Sequence, residues 1–230
     1  MKVNLKKKIA IILARKNSKR IKNKNLVRIA SIPLIEHSIK AAKDSKLIDD
    51  IYVSSDCKDV KKICKKLNVN YILRPKKLAG DLIHSDEVLV DVIKNIKKNL
   101  DINLVIFLQP TSPLRPNKVL DKSIMFFNRK KGDSLFSSTL FKNNIWMQDK
   151  NLKSINYDYK NRQFEQEKKN QFNENGSFYI FKADKFLKFK NRLFGKIIHY
   201  QIPYIYSFQI DETLDIDLVN YLFSIRNKYS

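Results

Sequence analysis

A three-layer α/β domain with a mostly parallel sheet is the fold class that the sequence predicts, on three observations. Two apolar runs, Ile9 to Leu13 and Leu104 to Leu108, show no polar alternation, as strands covered on both faces do. Each run breaks abruptly into a polar loop, the first dense in Lys, Arg and Asn, the second rich in Pro, Thr and Ser. Around them, short apolar runs alternate with stretches whose apolar residues recur at helical spacing, the pattern of βαβ units.

In chain order, Ile9 to Leu13 is the first strand. Ser31 and Pro33 mark a helix start, with Ile35, Ile39 and Ala42 on one face. Ile51 to Val53 is the next strand, after which Asp56 is expected to cap a helix striped by Val60, Ile63, Cys64 and Leu67. Tyr71 to Leu73 is a short strand; Ser85 or Asp86 is expected to cap the helix carrying Val88, Val92, Ile93 and Ile96. After Leu104 to Leu108, Pro116 suits the first turn of a further helix, and Leu135 and Phe136 lie in a strand. Residues 141–175 are polar and aromatic without clear periodicity, an excursion from the sheet. The α/β pattern resumes with Phe178 to Phe181, a helix near Ala183 to Phe189, a strand near Ile197 to Tyr200 and a closing helix with Leu218, Tyr221, Leu222 and Ile225.

With 230 residues the chain has room for one such domain, 1–230, including the excursion. Its net charge of +23, from 46 Lys and Arg against 23 Asp and Glu, favours anionic partners. The lysines run from Lys2 to Lys228, so the charge alone does not name the anion. Cys57 and Cys64 share one helix face and read as small core residues, not as a disulfide framework or a zinc site. The apolar run after MKVNLKKK is too short for a signal-peptide core, and no run approaches the ~18 apolar residues of a membrane span. A soluble cytoplasmic protein is expected.

The loop after the first strand holds Arg15, Lys19, Arg20, Lys22, Lys24 and Arg28 with no acidic residue among them. Like charge at that density repels itself unless it is solvated or faces an anion. A triphosphate suits the position, because ligands of open α/β sheets bind beyond the carboxyl ends of the strands. A solvated surface loop in a Lys-rich protein accounts for the same residues, and the loop alone does not choose.

Three segments together resemble one family. LARKNSKRIKNKNL, starting at Leu13, LQPTSPLR at Leu108 to Arg115, and IDETLDIDL at Ile210 to Leu218 are similar to the acylneuraminate cytidylyltransferases, a group that includes legionaminic and pseudaminic acid enzymes. RPKKLAGD at Arg74 to Asp81, RQ at Arg162 and Gln163, and NGSFYIF at Asn175 to Phe181 match further family segments in order. The resemblance implies a Rossmann-like nucleotide-diphospho-sugar transferase fold. It also implies a reaction in which the anomeric hydroxyl of a nine-carbon 2-keto sugar acid attacks the α-phosphate of CTP and pyrophosphate leaves. Such chemistry needs neutralised phosphate charge and aligned reactants more than covalent help from the protein.

Carried onto this chain, the resemblance makes Arg15, Lys24 and Asp211 catalytic, with Asp211 the ligand for Mg²⁺. It places Arg15, Ser18, Lys19, Lys24, Asn25, Arg74 and Ser85 on the nucleotide, and Gln109, Thr111, Ser112 and Arg162 on the sugar acid. Arg162 is expected to act across a subunit boundary. Asp215 is expected to cap or support, and Arg115 to pin its loop. A homodimer is implied, with the excursion and Trp146 at its interface.

Two departures from the family pattern stand out. Lys16, Asn17 and Arg20 stand where the family usually has Gly, which makes Asn17 the candidate for a left-handed turn. Gln209 stands where sialic acid enzymes often have an Asp, which argues against a second carboxylate-held metal and for a related bacterial sugar acid. Two other readings remain at this point: a relative that binds nucleotide without catalysis, and a basic nucleic-acid-binding protein. The latter lacks RNP-like, zinc-finger or helix-turn-helix signatures.

Overall fold

The computed structural model describes residues 6–167 and 170–229. Met1 to Leu5 of the basic N-terminal stretch, Lys168 and Lys169 in the excursion, and Ser230 lie outside the described residues. The elements run β1 (Lys7–Leu13), β2 (Arg28–Ile29), β3 (Ile32–Pro33), α1 (Leu34–Lys43), β4 (Asp50–Ser55), α2 (Lys58–Lys66), β5 (Asn70–Leu73), α3 (Ser85–Ile96) and β6 (Ile102–Leu108). Then follow α4 (Val119–Lys130), β7 (Ser134–Phe141), β8 (Trp146–Gln148), β9 (Leu152–Ser154), β10 (Gln171–Lys182), α5 (Ala183–Phe189), β11 (Ile197–Gln201) and α6 (Thr213–Ile225).

Seven strands form one sheet in the order β11-β7-β10-β6-β1-β4-β5. β10 runs antiparallel to both its neighbours, and the other pairings are parallel. The sheet is covered on both faces, which is why β1 and β6 carry no polar alternation. Ala10, Ile12, Leu104, Ile106 and Leu108 face the core under α1, α2, α4 and α6. Ile9, Ile11, Val105 and Phe107 face the second core, under α3 and α5. Within β10, Phe178 and Ile180 turn to the first core, Tyr179 and Phe181 to the second. Each large apolar side chain buried in this way contributes about 1.5–3 kcal/mol, so the sheet's centre is the most stable part of the fold and its loops are the part free to bind.

Several local expectations are revised. Ser31 does not start a helix: Ala30 (φ 43°) and Ser31 (φ 71°) form the two-residue turn between β2 and β3, and α1 begins after Pro33. The turn is fastened to α6 by the Ala30 amide, which donates to Asn220 Oδ1 at 2.8 Å. Asp56 does not cap α2. Its Oδ1 instead accepts the Lys16 amide at 2.6 Å, and Cys57 occupies the cap position. Ser85 and Asp86 are the first two residues of α3, preceded by His84 at the cap. Pro116 lies before α4, whose cap position is Lys118. The excursion is shorter than 141–175 suggests, because β7 runs to Phe141, β10 starts at Gln171, and β8 and β9 pair as a small hairpin between them. On α6, Val219 and Leu222 are buried and Tyr221 faces outward. Both cysteines are free and buried, as expected of core residues. Among the described residues no helix is long and apolar enough to cross a membrane.

His37 on α1 packs on the Phe223 ring at 4.8 Å, and its Nε2 lies 2.8 Å from the Ile29 carbonyl oxygen. Burial pushes its pKa down to about 4 against the support of Ile29, and Lys40, Arg115 and Arg226 lower it further. Between pH 6.5 and 4 the unfolded chain therefore binds a proton at this position that the native chain does not, so stability falls as pH falls through that window. Thermal or urea melts at pH 7 and 4.5 are expected to show the wild type losing about 2 kcal/mol more than His37→Gln, whose amide still reaches Ile29.

Candidate nucleotide and acid site

At the carboxyl ends of β1, β5 and β6 lies a cavity of about 460 Å³. Its lining includes Arg15, Ser18, Lys19, Lys24, Asn25, Arg74, Ser85, Gln109, Thr111 and Asp211, so ten of the sequence-predicted residues converge on one pocket. Ser112 and Arg162 do not line it. Ser112, in the loop after β6, is 1 % exposed, and Arg162 lies in the excursion with its guanidinium over the Tyr157 ring at 5.9 Å.

The basic loop is held by its own polar side chains. Asn25 Nδ2 donates to the Arg15 carbonyl at 2.9 Å, which ties the two ends of the loop together. The left-handed residue is Asn23 (φ 53°) and not Asn17, so the turn falls six residues later than the Gly-poor stretch suggests. The bond from the Lys16 amide to Asp56 fixes the intervening backbone without a glycine.

The cations are poised by acids that composition did not reveal. Asp81 pairs with Arg15 at 2.8 Å and with Lys19 at 3.5 Å, and Arg15 also donates to the Gly80 carbonyl at 3.2 Å. A triphosphate entering this cavity would compete with Asp81 for both side chains. Asp81→Asn is expected to tighten binding of inorganic triphosphate about fivefold at low salt, the effect of removing roughly 1 kcal/mol of competing charge in a partly exposed site. Calorimetric titration reads this directly.

Lys24 Nζ donates to Asp211 Oδ1 and to the Ile210 carbonyl, both at 2.9 Å. Its side chain is 12 % exposed whereas that of Asp211 is 43 % exposed, so the carboxylate faces the cavity with one oxygen held. Asp215 Oδ2 accepts the amides of Asp211 (2.8 Å) and Glu212 (2.7 Å) and thereby sets the start of α6. Arg74 is 6 % exposed; one guanidinium nitrogen donates to the Ser54 carbonyl at 3.2 Å, while its Nε has no protein partner. Burial pushes its pKa down to about 10, with Asp56 opposing the shift and Arg15 adding to it.

The loop after β6 is pinned by Arg115, which donates to the carbonyls of Gln109 (2.9 Å) and Ser177 (2.8 Å) and to Ser38 Oγ (3.1 Å). Opposite it, β10 bulges between Glu174 and Tyr179, where five residues of advance face two on β7. Gly176 lies in the bulge at φ +67°, where a Cβ would stand 2.5 Å from Gln109 Oε1 and 2.8 Å from Gln209 Nε2. A glycine is therefore required for both glutamines to approach the backbone. Gln209 Nε2 donates to the Asn175 carbonyl at 2.7 Å.

A second cavity of about 710 Å³ adjoins the first and shares Gln209 and Asp211 with it. The ends of β7 and β10 and the segment after β11 wall it, with Lys142, Asn173, Gln201 and Tyr204 among its polar residues. Asp81, Phe107 and this second cavity were not legible in the sequence. Among the described residues no three His, Cys, Asp or Glu side chains group as a protein-only metal site.

A family model described as Cytidylyltransferase matches residues 9–220. The N-acylneuraminate cytidylyltransferase of Oncorhynchus mykiss is 30 % identical over 212 residues, 90 % of this chain and 48 % of that protein. The Post-translational flagellin modification protein B of Campylobacter coli is 29 % identical over 229 residues, 95 % of this chain and 96 % of that protein. The chain spans about half the length of the first N-acylneuraminate cytidylyltransferases it matches. The solved structure of a CMP:2-keto-3-deoxy-manno-octonic acid synthetase complexed with CTP superposes with a TM-score of 0.72, covering 96 % of this chain and 99 % of that one at 15 % identity. That likeness establishes the shared fold.

Proposed function

Because the chain belongs to the cytidylyltransferase family, we propose that it joins CTP to a nine-carbon 2-keto sugar acid, of the sialic or the legionaminic and pseudaminic type, and releases pyrophosphate. The observation that carries this reading is the pair of adjoining cavities that share Asp211 and Gln209. The first, of about 460 Å³ and lined by Arg15, Lys19, Lys24 and Arg74, suits a nucleoside triphosphate. The second suits a larger polar acid, and its reacting hydroxyl would meet the α-phosphate at the shared wall.

In this reading Arg15, Lys19 and Lys24 neutralise the phosphates, and Lys24 also orients Asp211. Gln109 and Thr111 line the first cavity from the loop that Arg115 fixes, and Thr111 Oγ1 donates to Gln209 on the wall shared with the second, where both would meet the acceptor acid. Mg²⁺ fits the donor set, since a hard cation is commonly held by one or two carboxylates together with substrate phosphates, and Asp211 offers a half-exposed carboxylate beside the phosphate-binding cations. When bound it supplies charge neutralisation on the phosphates. Gln209 is neutral and engaged with Asn175, which supports a single carboxylate-held ion. The hairpin of β8 and β9 exposes Trp146, Met147, Leu152 and Ile155, and this supports a homodimer built on the excursion, to which Arg162 belongs. A cytoplasmic location goes with the use of CTP.

Pyrophosphate release from CTP and Mg²⁺ should depend on an added nine-carbon 2-keto acid. Release with no member of a panel of sialic, legionaminic and pseudaminic acids would contradict the reading. Nucleotide binding without release would favour a non-catalytic relative.

A further inference from the structure

Arg192 lies outside every segment that carries the family resemblance, yet its guanidinium is among the most constrained groups beside the nucleotide cavity. It enters from the loop between α5 and β11, and its side chain is 14 % exposed. The guanidinium carbon stands 5.0 Å from the centre of the Phe107 ring and 4.8 Å from that of Tyr179. Nε donates to Asp86 Oδ1 at 2.8 Å, and a terminal nitrogen donates to Ser85 Oγ. Tyr179 is held in turn by its hydroxyl, which donates to Glu174. Arg192 itself does not line the cavity, whereas Ser85 and Phe107 do.

The direction of the bond to Ser85 has a chemical consequence. A guanidinium only donates, and a serine hydroxyl has one proton and two lone pairs. With Arg192 donating to Oγ, the Ser85 proton must point away from Arg192, and among the described residues no protein acceptor takes it. Ser85 is therefore left to donate into the cavity. Arg74, whose guanidinium only donates, lines the same cavity. A pyrimidine edge matched to donors must offer acceptors side by side. Cytosine does so with O2 and N3, whereas uracil places an N3–H between its two oxygens.

We propose that Arg192 is a positioning residue for base selection, which fixes the Ser85 hydroxyl as a donor and so favours a cytosine over a uracil edge. The assignment rests on the nucleotide reading of this cavity, and it adds to it the residue that enforces the choice. Asp86 fixes Arg192 through Nε, and the two rings restrict it from the sheet side, so the hydroxyl's orientation is set through Arg192, which does not itself line the cavity.

The test measures dissociation constants for CTP and UTP with Mg²⁺ on the full chain, with no acceptor acid present. Wild type is expected to prefer CTP. Arg192→Met keeps an apolar stem over the rings but frees the Ser85 hydroxyl to turn, and is expected to lower the preference about tenfold, the worth of one oriented hydrogen bond. Arg192→Lys retains a cationic donor and is expected to keep the preference within about threefold. Ser85→Ala is expected to lower the preference by the same increment, with no further loss in the double variant with Arg192→Met. Equal weakening of both nucleotides in Arg192→Met, or an unchanged preference in that variant when wild type prefers CTP, overturns the assignment alone. A wild type that binds neither nucleotide overturns the nucleotide reading as well. Thermal melts of each variant identify any general loss of fold.

Discussion

Asp211→Asn is expected to lower kcat for pyrophosphate release about 1,000-fold while leaving the melting temperature within about 3 °C of wild type, from the several kcal/mol that a held metal ion contributes to charge stabilisation. The asymmetry follows from the local geometry. Asn retains an Oδ1 that can accept from Lys24 Nζ, which lies 2.9 Å from the carboxylate, and the Asp211 amide still donates to Asp215. Because the carboxylate is half exposed, its charge adds little to folding. What the variant loses is the negative charge beside Lys24 and the other cations of the first cavity. The apparent requirement for Mg²⁺ is expected to rise together with the fall in kcat; wild-type turnover in the variant contradicts the metal role.

The largest effect on stability is expected at Arg115. Arg115→Met removes the donor shared by the Gln109 and Ser177 carbonyls and Ser38 Oγ, and leaves those acceptors without their charged partner. Hydrogen bonds to a charged donor contribute about 1.5–3 kcal/mol each, partly offset by no longer burying the guanidinium, so a net loss of about 3–4 kcal/mol is expected. In a chain of this size that lowers the melting temperature by roughly 10 °C. Burial has already pushed the Arg115 pKa down to about 9, which marks how little water reaches it. Arg115→Lys is expected to recover little, since a single ammonium does not span two carbonyls and a hydroxyl. Because Gln109 lines the first cavity, activity is expected to fall along with stability. Denaturant titration and turnover on one preparation check both.

The central strands were legible because burial on both faces leaves an unbroken apolar run, and Ile9 to Leu13 and Leu104 to Leu108 read accordingly. The helix Ala183–Phe189 was legible to its boundaries. What sequence pattern missed was the use made of polar residues at element ends. Asp56 has the residue type and position of a helix cap, yet it serves a loop forty residues away, and only the pairing of β1 with β4 brings the two together. Ser85 likewise reads as a cap and instead meets Arg192 over a separation of 107 residues. The left-handed turn lies at Asn23 and not at Asn17, while the Lys16 amide bonds to Asp56.

Asp81 shows a further limit. The loop from Arg15 to Arg28 contains no acid, so its charge looks unopposed along the chain, whereas in space an aspartate from a different loop pairs with two of its cations. Among the arginines near the site, Arg192 was the one that the sequence did not single out. In a chain whose basic residues are mostly Lys, Arg15, Arg74, Arg115 and Arg192 all lie in or against the site. Arg115 and Arg192 each bond through more than one guanidinium nitrogen, on carbonyls, hydroxyls or a carboxylate.

The account turns on two reactants meeting at the wall that Asp211 and Gln209 share, and an oxygen tracer tests that meeting directly. With the acceptor acid labelled by ¹⁸O at its anomeric hydroxyl, CTP and Mg²⁺, attack on the α-phosphorus is expected to leave the label in the CMP-sugar and none in pyrophosphate, as read by mass spectrometry. Label in pyrophosphate, or a CMP-sugar without it, would contradict the account.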